Sequence, residues 1–310
     1  MLRTIKQAVL SKLKGYIQYQ ARQAIMDAAP YIFSAPEERA SFYVLDSGSA
    51  KTIRDNCNRG ERLVVEDRLL DYEDFISWTR KFSSLEQHYL KSGDVCLEKL
   101  LEHYVTHREH GLGSGDVFID VAAQESPYAD ILLQKGIEAY RLDISYPSGI
   151  HGRKIGANAA FTNLPEEFCN AMSAHCAFEC FQGNADFLSV IEAGRILKPG
   201  GKFVIAPLYL AKEHIVRVSP FLKERVSIDE GARRVWRGDV YLEPFSRSYS
   251  PEALYGRLIE KLPSCLSAKL VHFPNIHEVS ERWTVSEGQR VYLYFMLVLE
   301  KSMDKGTVQK

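Results

Sequence analysis

What the sequence lacks narrows its class before any motif is read. It lacks a charge imbalance: 39 basic and 40 acidic side chains leave a formal net charge of −1 over 310 residues. Reading a phosphate backbone needs a basic excess, so no nucleic acid is expected as substrate or partner. It lacks paired cysteines, since Cys57, Cys96, Cys169, Cys176, Cys180 and Cys265 include no CxxC. A chain this long and 45% hydrophobic needs no disulfide staples; free thiols in a reducing, cytoplasmic setting are expected. It also lacks any run near the roughly twenty apolar residues of a membrane span.

Acidic residues are missing from Met1 to Met26, which carry Arg3, Lys6, Lys12, Lys14 and Arg22. On a helix, Leu2, Ile5, Val9, Leu10, Leu13, Tyr16 and Ile17 share one face. Two readings stand side by side: a helix in peripheral contact with an anionic membrane surface, at its inner face, or a docking helix whose basic side is solvated. No unbroken apolar block marks a secretory signal.

Residues 1–110 read as a helical region. It closes at Gly111-Leu112-Gly113-Ser114-Gly115, where three glycines stop a helix. Beyond this point strands and helices alternate. Asp116–Val121 is a nearly continuous apolar run, as buried parallel strands are. Ser126-Pro127 suits a helix start and Gly136 its end. Ile137–Asp143 is a second strand, and Asn170–His175 a later one. A helix over Ala185–Leu197 is closed by Lys198-Pro199-Gly200-Gly201, and Lys202–Pro207 is another buried strand. Ser250 caps a helix running to about Leu262, and Ala268–Phe273 and Val291–Glu300 read as two final strands. The alternation implies a doubly wound α/β sheet over 111–301, with an insertion at about 211–247 and a flexible tail at 302–310.

In such a sheet, ligands bind beyond the carboxyl ends of the strands, where strand order reverses. Asp143 ends the second strand about twenty residues after the first, the place for a carboxylate accepting bonds from ribose hydroxyls. His175 and Glu179 follow the later strand and face the pocket in this topology; on a helical turn they share one side. His175 is a candidate general base and Glu179 a substrate-orienting acid, against a plainer reading in which His175 lines the ligand and Glu179 caps a helix. His151 and Arg153 sit on a Gly-rich loop, with Arg153 able to grip a phosphate or carboxylate, and Tyr209 follows a strand; these three are candidate substrate contacts or plain surface and packing residues. His103, His107 and His110 recur at helical spacing with no obvious fourth ligand, so a metal is not expected. The segment Arg217 to Arg247 mixes arginines with Trp236, Tyr241 and Phe245. It reads as a substrate lid suited to phosphorylated or nucleotide-linked sugars, or as a solvated segment.

Ile119–Ser145, followed by Glu192–Gly201, resembles the class I S-adenosylmethionine-dependent methyltransferases, most closely those of sugar and surface-glycan pathways. The likeness covers roughly Gly115 to Lys301. It implies a Rossmann-like sheet of seven strands, with the last two forming an antiparallel hairpin. It also implies S-adenosylmethionine as cofactor and methyl transfer to a small hydroxylated acceptor, such as a sugar, nucleotide-sugar or glycolipid. Asp120 matches the first motif's acid, Asp143 the ribose-binding acid, and Asn158-Ala159 the pair that touches adenine. The motif's glycines are replaced by Ala122, Gln124 and Ser126. Glycine there would allow positive φ and close backbone approach. The helix start at Ser126-Pro127 offers N–H groups in compensation. A non-catalytic binding protein on the same fold is the alternative, and it expects Gln124 to fill the pocket. A nicotinamide oxidoreductase is disfavoured, because no GxGxxG follows the first strand.

Overall fold

A computed structural model of the chain describes residues 45–58, 60–218, 226–236, 245–286 and 288–303, with isolated helical positions at 17, 20, 21 and 24. The basic segment 1–26 otherwise lies outside the described residues. So do Lys223, Arg225, Arg237, Tyr241 and most of the tail.

The elements run α1 (Ser47–Cys57), β1 (Leu63–Asp67), α2 (Tyr72–Lys81), α3 (Ser83–Tyr89), α4 (Cys96–His110), β2 (Val117–Val121), α5 (Tyr128–Gln134) and β3 (Glu138–Asp143). They continue β4 (Gly149–His151), β5 (Lys154–Gly156), β6 (Cys169–His175), α6 (Ala185–Ile196), β7 (Leu197–Ala206), β8 (Ile215–Val218), β9 (Arg233–Trp236) and β10 (Phe245–Ser248). The last are α7 (Pro251–Leu254), β11 (Leu266–His272), α8 (Ile276–Arg282) and β12 (Phe295–Lys301).

Nine strands form one sheet in the order β1-β11-β12-β7-β6-β2-β3-β5-β4. β2 lies parallel to both β3 and β6, and β6 parallel to β7. β12 runs antiparallel between β7 and β11. From β5 across to β11, the seven strands β5-β3-β2-β6-β7-β12-β11 make the sheet expected from the methyltransferase resemblance, antiparallel hairpin included. The chain winds outward from β2 through β3 to β5, then returns to the other side of β2 as β6. Strand order therefore reverses at β2 and β6, and a cleft opens above their carboxyl ends.

Two strands enlarge that sheet, and one of them corrects the reading of residues 1–110 as purely helical. β1 joins the edge by pairing parallel with β11, Leu63 opposite Ala268 through Asp67 opposite His272. β4 forms a short antiparallel hairpin with β5. Among the described residues, the glycine-rich stretch does not separate two bodies either. Phe75, Trp78, Leu97, Leu100 and Leu101 belong to the same buried cluster as Phe118, Val204 and Leu297.

α4 is buried along nearly its whole circumference, charged residues included: Glu98, Glu102, His103 and Thr106 are fully covered. It ends where expected. Gly111 adopts φ 59°, ψ 38° and donates its amide to the His107 carbonyl, a left-handed cap that favours glycine. The 211–247 insertion builds a separate three-stranded sheet, β10-β8-β9, over a small core of Val216, Val218 and Phe245. The helix capped by Ser250, whose hydroxyl accepts from Ala253 N, keeps α geometry for one turn and continues as a π turn over Tyr255–Ile259. No helix among the described residues is long and apolar enough to cross a membrane.

Candidate cofactor site

β2 delivers Asp120 and Val121 to the cleft, and the chain then turns at Ala122 with φ 56°. Left-handed backbone costs a non-glycine residue roughly 1–2 kcal/mol. The position thus has the conformation glycine would supply, held by an alanine. Asp120 is buried and organises this turn. His175 Nδ1 lies 3.1 Å from Asp120 Oδ1, and the Ser126 hydroxyl donates to Oδ2 at 2.7 Å. Ser126 Oγ in turn accepts from Tyr128 N at 3.3 Å; the helix begins one residue later than expected, with Pro127 at the N-cap and Ser126 just outside it.

β3 carries Asp143 to the same level. Asp143 is buried, accepts from Ser145 N at 2.8 Å, and faces a cavity of about 390 Å³. Ala122, Asn158, Ala159, Phe181 and Gln182 form other parts of its wall. Asn158 Oδ1 accepts from Ala160 N at 2.9 Å, which fixes the turn after β5. Gln124 does not fill the cavity. Its side chain is exposed and its carbonyl accepts from the Tyr146 hydroxyl at 3.0 Å. Asp143, Ala122, Asn158 and Ala159 are therefore gathered as expected, Asp120 and Ser126 support them from behind, and Gln124 stands aside.

A second cavity of about 220 Å³ adjoins the first through Ala122. Asp120, Ser126 and His175 line it from the sheet side, and Tyr89, Lys99 and Glu102 from α3 and α4. Lys99 Nζ lies 3.0 and 3.1 Å from the two Glu102 oxygens. Burial raises the Glu102 pKa in spite of that ammonium. In the sequence α4 was weighed only as a metal site through its histidines; Lys99 and Glu102 as cavity residues were not foreseen.

His175 is not a free base. Its Nε2 lies 2.9 Å from the Thr106 hydroxyl and its Nδ1 is on Asp120, so both ring nitrogens are engaged and the residue positions Asp120. Glu179 is buried on a short 3₁₀ turn, Phe178–Cys180, rather than one helical face from His175. Cys176 between them has φ 48°, which breaks any helix there.

The three candidate substrate residues lie elsewhere. His151 is exposed on the β4–β5 hairpin and bonds to the Ser148 carbonyl at 2.9 Å. Arg153 is spent on Glu138 at 2.7 Å and on the Tyr140 ring. Tyr209 is half-buried, 3.3 Å from Cys176 Sγ and stacked on Tyr292. None of the three borders either cavity.

The α4 histidines each take a separate partner: His103 the Tyr89 hydroxyl, His107 that of Tyr128, and His110 that of Ser173, at 3.0, 3.1 and 2.8 Å. Burial lowers all three pKa values, to about 4 for His107 and about 3 for His110. Among the described residues no group of three or more His, Cys, Asp or Glu side chains is placed to hold a metal.

Two arginines of the insertion, Arg217 and Arg247, are committed inside the protein, whereas Arg233 is exposed and pairs at the surface. Arg217 donates to Ser248 Oγ at 2.7 Å, Arg233 to Glu213 at 2.8 Å, and Arg247 is fully buried among carboxylates. The reading of Arg217 and Arg247 as contacts for sugar phosphates is corrected accordingly. Burying a guanidinium is tolerated only when its donors are paired, and that pairing removes them from a ligand.

No family model and no curated protein matches the chain. Solved structures resemble it at low identity. One is a protein of Anabaena variabilis described as a methyltransferase of an antibiotic biosynthesis pathway, at 19% identity over 34% of this chain and 44% of that one, TM-score 0.30; the chain thus spans under half its length. Another is the Burkholderia thailandensis 1,6-didemethyltoxoflavin-N1-methyltransferase with bound S-adenosylhomocysteine, at 10% identity over 86% and 94%, TM-score 0.44. A third is the glycopeptide N-methyltransferase MtfA with sinefungin, at 11% identity over 65% and 92%, TM-score 0.41. The strand order of this chain's own sheet is what defines its fold.

Proposed function

We propose that the chain binds S-adenosylmethionine and transfers its methyl group to a small hydroxylated acceptor. The observation that carries the reading is Asp143. It is buried at the carboxyl end of β3, beside a nucleoside-sized cavity, with the left-handed turn at Ala122 on the same wall. Cavities of a few hundred Å³ with few polar groups are the usual form of such sites. An open cavity with Gln124 outside it favours this reading over an occluded binding protein.

Asp143 would accept bonds from the ribose hydroxyls, and Asn158 and Ala159 would flank the base. The second cavity, where Lys99 and Glu102 present opposite charges, suits a zwitterionic amino-acid end. When bound, the cofactor supplies an electrophilic methyl group on sulfur. The protein's share is to align the acceptor and receive its proton. With His175 engaged on both nitrogens, Glu179, buried next to the cavity-lining Cys180, is the candidate acid–base residue. The narrower sugar or glycolipid reading loses two of the arginines it leaned on, Arg217 and Arg247. A cytoplasmic setting is part of the same proposal, supported by six cysteines that form no disulfide.

Titration calorimetry with S-adenosylhomocysteine tests the proposal, with saturable heat expected; silence at millimolar ligand would end it. Binding without turnover of any hydroxylated acceptor would leave a methyltransferase-fold binding protein.

A further inference from the structure

A buried charge cluster adjoins the Phe181–Gln182 side of the nucleoside cavity. Arg247 reaches it from β10, and its guanidinium has five N–H groups. Nε donates to Asp229 Oδ2 at 2.5 Å, and Nη2 to Asp229 Oδ1 at 2.9 Å and the Gly183 carbonyl at 3.0 Å. Nη1 serves the Phe181 carbonyl at 2.8 Å and Asp186 Oδ2 at 3.0 Å. Arg257, on the π turn, holds Asp186 at 2.7 and 2.9 Å and also bonds to the Gly183 carbonyl. Asp229 belongs to the insertion and accepts as well from His214 at 3.1 Å. The gripped carbonyls bracket Gln182, and Phe181, Gln182 and Ala185 are cavity wall.

We propose that Arg247 is a positioning residue through which the β8–β10 sheet sets the Phe181–Gln182 wall of the nucleoside cavity. This rests on the cofactor reading of that cavity. Every donor of the guanidinium is spent within the protein, so Arg247 touches no ligand and acts only by holding backbone. A lysine has three donors from a single point and cannot span two carboxylates and two carbonyls. Coupling is reciprocal: a nucleoside in the cavity steadies the β8–β10 sheet, and an ordered sheet tightens nucleoside binding.

The test compares R247K with V216A, which loosens the small β8–β10 core without touching the cluster. In R247K, backbone amides of residues 181–186 are expected to exchange about tenfold faster with deuterated solvent, and S-adenosylhomocysteine to bind about tenfold more weakly. In V216A, exchange should quicken in β8 and β10, while residues 181–186 and ligand affinity change by less than in R247K, because the Arg247 cluster itself is intact. F181A should weaken binding too, and the R247K/F181A double variant no further than the worse single change, because both act through one wall. Wild-type exchange at 181–186 in R247K overturns the proposal, as does strict additivity with F181A. Should R247K not fold, R257K, loosening the same Gly183 carbonyl from a partly exposed position, is read in its place. If the parent protein binds no S-adenosylhomocysteine, the cofactor reading fails, and the exchange measurements still decide whether Arg247 holds the wall.

Discussion

Ala122 holds φ 56° between the two cavities and is exposed to both. Glycine would relieve roughly 1–2 kcal/mol of backbone strain and cost about 0.5–1 kcal/mol in unfolded-chain entropy. A122G is therefore expected to raise stability by up to about 1 kcal/mol in urea unfolding without weakening S-adenosylhomocysteine binding; a lower midpoint would mean the strain is not there. Asp143 carries the opposite expectation. Each charge-assisted bond it gives a ribose hydroxyl is worth roughly 1.5–3 kcal/mol, so D143A should lose at least about tenfold in affinity by calorimetry. An unchanged affinity would move the nucleoside elsewhere. Asp143 was legible in advance because a strand-ending acid has one place in a doubly wound sheet. The role of His175 was not, because its second partner, Thr106, lies 69 residues away on another element.

α4 shows how far one element departs from its sequence pattern. Glu98, Glu102, Thr106 and Glu109 are covered, His103 is buried, and His107 and His110 are half-buried. The folded pKa values of the three histidines are depressed below the ordinary 6.5. Between that value and the folded one, the unfolded chain binds more protons, so stability is full above about pH 6.5 and falls as pH drops toward 4. The loss is about 1.4 kcal/mol per unit for each such group. H107Q should flatten the acid side of the melting-temperature profile by about one such contribution between pH 6 and 4.5, and a profile parallel to the parent's would refute the neutral imidazole. Glu109, in the same last turn of the helix, works in the same direction. Burial opposes its charge, but hydrogen bonds from Arg68 and Lys202 and the nearby Lys269 hold its pKa at about 2, so its contribution is lost only below about pH 4.5. β1 escaped sequence reading for a related reason. Its five residues pair with a strand more than 200 positions later, and a short apolar run has no period of its own.

Taken whole, the described chain is one sheet with helices packed about a shared core and a small second sheet beside the cavity. Ligand binding to such a body should register globally. At a hundred times its dissociation constant, S-adenosylhomocysteine should add about 2.7 kcal/mol of stability. That is a rise of about 5 °C in melting temperature, and no shift at saturating ligand would contradict the calorimetry. From sequence alone came the parallel strands and the position of Asp143, because strand period, capping residues and turn glycines act within a few residues; the seven-strand arrangement was what the family resemblance implied. The tertiary structure alone decided that β1 and α4 belong to the same body, that His175 is tied down, and that Arg247 holds a wall rather than a substrate. Burial, and the partner that a buried charge must find, depend on residues the chain brings together only when folded.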